Sequence, residues 1–216
     1  MRGLPPFIPA AGGSSRRCAC KPAKMRAFRL GSFRMSTSPA TAPFRIETPR
    51  LCIRAWRPAD RAAFAAMAQD AALMTYVTDG QPMSEGQIDA SLERQARNLQ
   101  QAGYCMGAAE WIESGEVIGV IGLQPLDRDP AIDIGWWVRR DHQGRGLATE
   151  AALALQAFLH ARDPSAALVA TIHPDNLPSQ AVARRLGLET DGITVPASRI
   201  ASWRPDIPVL LFRPPV

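Results

Sequence analysis

The chain has 216 residues, 46% of them apolar and 21% charged, with a formal net charge of +5. That length suits one domain with a substantial core and is short for two, and no uninterrupted apolar run approaches the roughly 18 residues of a membrane-spanning helix, so neither a two-domain protein nor a membrane protein is expected. The excess charge suggests nucleic acid only until its position is read. Eight of the 25 basic residues fall between Arg2 and Arg34, where there is no Asp or Glu, and the rest of the chain sets 17 basic residues against all 20 acidic ones, a net of about −3. Nucleic acid is therefore not an expected partner.

Residues 1–43 read as a disordered basic leader and linker. Gly3, Pro5, Pro6, Pro9, Gly12, Gly13 and Ser14 follow one another too closely for this stretch to bury the apolar area that ordering requires. Ser15-Arg16-Arg17 is similar to the start of a twin-arginine export signal, but Lys21-Pro22-Ala23-Lys24 stands where an apolar region belongs. An organellar transit peptide, or an extension upstream of a working start at Met25 or Met35, are the other readings. Cys18, Cys20, Cys52 and Cys105 show no repeated ligand spacing, which predicts a reduced, cytoplasmic protein without a metal.

The domain is expected over residues 44–216. A first strand runs from Phe44-Arg45-Ile46-Glu47 through Leu51 to Trp56, with Pro49 as a place for a kink. Pro58 and Asp60 open a helix that carries Phe64 and Met67 on one face. Ser84, with Gln87 three residues on, caps a longer helix whose Ile88, Leu92, Ala96 and Leu99 form a stripe, and Gly103 ends it. Three strands follow, Tyr104 to Ile112, Val117 to Leu123 and Ala131 to Val138, joined by connections short enough to permit only antiparallel neighbours.

The pattern then changes. Leu147, Ala151, Leu155, Phe158 and Leu159 mark a helix from about Gly146 to Ala161. Ala166 to Ile172 is a fifth strand, returning parallel to the fourth. A helix from Leu177 to Leu186, closed by Gly187, and a last strand from Val209 to Phe212 complete an α/β (α+β) domain with a mixed sheet and about four helices.

Between the fourth strand and its following helix lies Gln143-Gly144-Arg145-Gly146-Leu147-Ala148-Thr149. Glycines there let backbone N–H groups approach an anion, and the helix dipole adds partial positive charge, so a pyrophosphate is the natural guest. A Walker loop would need Gly-Lys-Ser/Thr where Gly146-Leu147-Ala148 stands, and a dinucleotide fingerprint would need a small residue at Thr149 and a place in the first β-α-β unit.

From about residue 44 onward the chain resembles the GNAT superfamily of N-acetyltransferases, in particular the branch that acetylates the N-terminal alanine of ribosomal proteins. Glu47-Thr48-Pro49-Arg50-Leu51, Ile134-Gly135-Trp136-Trp137-Val138, the Gln143-x-x-Gly146-x-Ala148 loop, and Asn176-x-x-Ser179 followed by Arg185-Leu186-Gly187-Leu188 carry the likeness. The resemblance implies a V-shaped splay between the fourth and fifth strands and acetyl-CoA as co-substrate. Its diphosphate would lie on the backbone of Gln143, Gly144, Arg145, Gly146, Ala148 and Thr149. Pantetheine would add to the edge at Trp137 and Val138, Asn176 and Ser179 would face the arm, and Arg185 would reach the nucleotide phosphates. Asn176 also fits a simple helix cap, Arg184 and Arg185 a solvated face, and His173 a structural residue at a strand end.

The implied reaction is direct attack of an amine on the thioester, in a monomer or homodimer. Asp133 and Glu110 are both candidates for the base, and each equally suits a strand-pairing or surface role. The family often carries a Tyr seven residues after the position of Asn176. Ala183 stands there, leaving Ser179, solvent or the substrate to protonate the thiolate. The first two helices and the segment from Thr194 to Pro208 would shape the acceptor pocket. A mildly acidic domain weakly favours a cationic amine or a basic peptide N-terminus, and a CoA-binding module without turnover is the alternative.

Overall fold

A computed structural model describes residues 44–215; the basic leader read over residues 1–43, with Cys18 and Cys20, lies outside the described residues. Eight strands form one sheet: β1 (Arg45–Glu47), β2 (Leu51–Arg54), β3 (Met106–Trp111), β4 (Val117–Pro125), β5 (Ile132–Val138), β6 (Leu168–Ile172), β7 (Thr194–Pro196) and β8 (Pro208–Phe212). Their spatial order is β1-β2-β3-β4-β5-β6-β8-β7. Neighbours are antiparallel except β5 and β6, which the crossover helix between them makes parallel. The mixed sheet and the antiparallel N-terminal half are as expected.

Two expectations change. The first strand is a hairpin: Ile46 pairs with Ile53 and Glu47 with Cys52, because Pro49 sits in a tight reversal that the Thr48 hydroxyl stabilises by accepting the Leu51 N–H at 2.9 Å. The α-helices number five among the described residues, α1 (Arg61–Ala68), α2 (Ala71–Met74), α3 (Glu85–Ala102), α4 (Leu147–Arg162) and α5 (Leu177–Arg185). The extra one, α2, is a single turn capped by the Asp70 carboxylate, which accepts the Ala72 N–H, too short to show a period.

The sheet is buried on both faces. One side packs Leu147, Ala151, Leu155 and Leu159 of α4 with Val182 and Ala183 of α5 against Ile53, Ile121 and Ile134. The other packs Phe64 and Met67 of α1 and Ile88 of α3 against Ala108 and Val120. Alternation along a strand sends neighbours to opposite sides, so Ala108 and Ala109 belong to different clusters. Ser84 caps α3 with the predicted reciprocal bonds to Gln87, and Gly103 closes it in the left-handed region, φ +76°. No described helix is long and apolar enough to cross a membrane, and no three His, Cys, Asp or Glu among the described residues gather as a metal site.

Candidate active site

The pairing of β5 with β6 stops after Ile132↔Leu168 and Asp133↔Val169, although β5 runs on to Val138 and β6 to Ile172. Beyond that point the sheet is open. The Ile132 N–H points toward β6, donating to Ala167 O at 2.8 Å, whereas Arg139 N–H points back toward β4 and Ile118 O. Alternation therefore turns the main-chain groups of Ile134, Trp136 and Val138 into the gap. Gln143 Nε2 takes up the Val138 carbonyl at 2.8 Å, leaving the Trp136 groups and the Val138 N–H without a strand partner.

Asp133 is what holds the seam apart. Its Oδ1 accepts from both the N–H (3.1 Å) and the hydroxyl (3.0 Å) of Thr171, so the β6 amide next in line finds a side chain instead of β5 backbone. Its Oδ2 accepts from Gln124 Nε2 at 3.0 Å and from the Arg204 guanidinium. A carboxylate offers about four lone-pair sites, and all are filled in a residue that is 1% exposed. Asp133 thus lines the cavity with both oxygens fully engaged, an arrangement that suits a positioning role. Glu110, the other candidate, lies on β3 outside the cavity lining, held by Arg54 Nε at 2.7 Å. Arg54 is itself buried in β2 and grips Asp60 with two further bonds, 2.7 and 3.1 Å.

At the far end of β5 the phosphate-binding candidates come together. Gly144 (φ +73°) and Gly146 (φ +77°) both occupy the left-handed region, which glycine enters without penalty. The first helical amide with a partner is that of Glu150, on Gly146 O. The N–H groups of Gly144, Arg145, Gly146, Leu147, Ala148 and Thr149 have no acceptor among the described residues. Six donors at the positive end of a 16-residue helix fit a diphosphate.

The loop is braced by residues the sequence did not single out for this task. Glu150, in the first turn of α4, accepts from the Thr48 hydroxyl (2.6 Å), the Arg50 N–H (3.1 Å) and Arg50 Nε (2.8 Å). Arg50 also donates to the Arg145 carbonyl at 3.0 Å. The Thr48-Pro49-Arg50 turn thus fastens the base of the glycine loop from 100 residues away.

Trp136 and Trp137 face opposite ways, as alternation requires. Trp136 Nε1 donates to the Ser179 hydroxyl at 3.2 Å, and Trp137 packs on Phe64. Asn176 caps α5, its Oδ1 accepting the Ser179 N–H at 3.2 Å, and it lines the cavity as well. His173 Nδ1 accepts the Asp175 N–H at 3.2 Å, a local bond at the end of β6. Arg145 and Arg185 are exposed, and Arg185 lies at the end of α5, outside the cavity lining. Ala183 is fully buried.

The gap opens into a cavity of about 590 Å³ walled by Trp136, Ser179, Asn176, Tyr76, Arg94 and Trp203 among others. Arg94 and Arg204, both unforeseen here, lie against the Trp203 ring, their guanidinium carbons 4.2 and 5.1 Å from its centroid. Arg204 is neutralised by Asp133. Arg94 has no carboxylate partner among the described residues; burial, with Arg204 and Arg97 nearby, pushes its pKa down to about 10. The acid with an unoccupied oxygen at the cavity is Asp79, whose Oδ1 accepts from Gln81 N–H.

The family model described as an acetyltransferase (GNAT) domain matches residues 50–189. The N-acetyltransferase YnaD of Bacillus subtilis (strain 168) is 24% identical over 147 residues, 68% of this chain and 84% of its own length. The crystal structure of an acetyltransferase from Agrobacterium tumefaciens str. C58 is 26% identical, with a TM-score of 0.68, and covers 86% of this chain and 100% of that one. RimL, a ribosomal L7/L12 alpha-N-protein acetyltransferase solved in complex with coenzyme A, shares the fold at 22% identity and a TM-score of 0.63, over 78% of this chain and 96% of that one.

Proposed function

The chain belongs to the GNAT acetyltransferase family, and from that membership we propose that it transfers an acetyl group from acetyl-CoA to a primary amine, a peptide N-terminus or a small molecule, by direct attack. The observation that carries this reading is the row of six partnerless amides from Gly144 to Thr149 beside an open strand edge. Bound acetyl-CoA supplies an acetyl group activated as a thioester. The Gly144 to Thr149 amides hold its diphosphate, and the unpaired main-chain groups of Trp136 align its arm as an added strand would be aligned. The Val138 N–H is the donor left for the thioester carbonyl.

Ser179 accepts from Trp136 Nε1, which frees its own proton for the departing thiolate; the methyl of Ala183 offers none. The proton of the incoming ammonium leaves through water at the mouth of the cavity, where Asp79 has an oxygen free. In this reading residues 44–216 form the catalytic domain and residues 1–43 take no part in transfer.

The test is acetyl-CoA binding by calorimetry together with CoA release across a panel of peptides and small amines. Binding with amine-dependent release is expected. A folded protein that ignores acetyl-CoA at millimolar concentration would sink the assignment. Binding without release from any amine would favour a CoA-binding module without turnover, a reading that Ala183 in place of the family's Tyr keeps in view.

A further inference from the structure

The net charge of the domain favours a cationic acceptor, but within the cavity Asp79 offers one place for a cation and Arg94 a place for an anion. Net charge describes the whole surface, whereas an acceptor feels the groups within a few ångströms of it. Of the two guanidinium groups against Trp203, that of Arg204 is spent on Asp133 and Thr171. Among the described residues the group of Arg94 makes one hydrogen bond, to the Ser91 hydroxyl at 3.2 Å; its Nε, like that of Arg204, is shut off from solvent without an acceptor, but Arg94, unlike Arg204, has no carboxylate on its other nitrogens. Gln95, one residue on, cannot help, because its Oε1 is committed to the Met106 N–H at 2.9 Å. The charged groups acting on Arg94 are Arg204 and Arg97, both of its own sign.

A half-buried cation near two others, with a donor unmet and an indole against it, is costly unless something anionic completes it. It lines the same cavity as Trp136, Ser179 and the Thr171 end of the seam. An amine presented to the seam would therefore extend its remaining substituents toward Arg94. A polyamine would place a second positive charge there; a carboxylate would satisfy the planar guanidinium donors.

We infer that the acceptor is a primary amine bearing a carboxylate, and that Arg94 is the residue that selects it. This rests on the acetyltransferase reading for the word acceptor, though not for the anion site itself. The carboxylate could belong to a free α-amino acid or to an acidic residue of a peptide with a free N-terminus.

The experiment compares matched pairs in two arms, free α-amino acids against their α-carboxamides, and peptides with Glu or Gln at the second position. Each pair is measured as acetyl-transfer KM and as binding to the protein saturated with CoA. The carboxylate member is expected to bind about tenfold or more tightly in one arm, and that arm names the source. Arg94→Gln should bring the ratio close to one while leaving CoA affinity unchanged, which reports an intact fold; Arg94→Lys should keep part of it. Equal binding of both members in both arms, or a preference that survives Arg94→Gln, overturns the inference. Carboxylate-selective, Arg94-dependent binding without acetyl transfer would leave the inference standing and remove the acetyltransferase reading; transfer without selectivity would do the reverse.

Discussion

Arg50 and Glu150 meet across 100 residues of sequence, the carboxylate taking the arginine's main-chain N–H, its Nε at 2.8 Å and its Nη2 at 2.7 Å. An acid in the first turn of a helix suits the dipole but opposes a second anion arriving at the same end. Arg50 offsets it, and by also holding the Arg145 carbonyl it fixes the loop's shape.

Arg50→Ala should accordingly weaken CoA binding about tenfold. Glu150→Gln should cost less, since it removes the repulsion along with the brace. The double variant should lose less than the two singles added together, because the groups are in direct contact. Calorimetric titration of CoA into the four proteins checks this, and full additivity would show the pair to be uncoupled.

Gly146→Ala meets no crowding: the added Cβ would lie in ordinary contact, 3.9 Å from Arg50 Nη2. The cost is conformational, a left-handed residue at φ +77°, worth about 1–2 kcal/mol. A drop of that size in urea stability is expected, with a larger proportional loss of CoA affinity as the loop relaxes to another conformation. A fully stable protein with unchanged affinity would mean that the left-handed turn is dispensable.

Asp60 supports a pH prediction. Burial alone would raise its pKa, but the bonds from Arg54 and the Arg57 amide outweigh that and hold the carboxyl below its ordinary value. Its contribution is therefore fully present above the unfolded-state pKa of about 3.9 and drains away as pH falls through the lower folded value. Asp60→Asn should cost about 3 kcal/mol near neutrality, because it leaves Arg54 buried with one acid fewer. The variant should also lose less of its stability than the parent between pH 5 and the acid transition, as followed by urea midpoints.

Asp133→Asn and Asp79→Asn separate positioning from proton transfer. With Asp133 replaced, Arg204 and Thr171 lose their shared acceptor, so KM should rise several-fold with kcat little changed. Replacing Asp79 should lower kcat by about tenfold or more while CoA affinity stays the same. A large loss of kcat with Asp133→Asn and none with Asp79→Asn would give the base to Asp133.

The glycine loop was legible in the sequence because its chemistry is local: six consecutive residues and the helix behind them carry the whole feature. The α3 cap and its left-handed Gly103 were legible for the same reason. What escaped depends on distance in sequence. Arg54 alternates like a surface residue in its strand, yet the fold buries it against Asp60 and Glu110. Arg94 reads as part of a solvated helix face and Arg204 as part of an irregular segment, and only folding brings both to Trp203. Asp133 has the residue type and strand position of a candidate base, but four donors from β4, β6 and the segment before β8 fill its oxygens, and none of them is adjacent in sequence. The hairpin at Thr48 was missed because its strands are three and four residues long, below the length at which alternation can be distinguished from a kink.

The seam between β5 and β6 has a thermodynamic side. Polar backbone without a partner must keep its water, and Asp133, having captured the amide of Thr171, prevents the slot from zipping shut. A guest that supplies partners to these groups therefore stabilises the folded protein. By mass action a guest at a hundred times its Kd adds about 2.7 kcal/mol to the folded state. Resistance to heat and proteolysis would then rise and fall with the supply of co-substrate, coupling the protein's lifetime to the metabolic state of its surroundings.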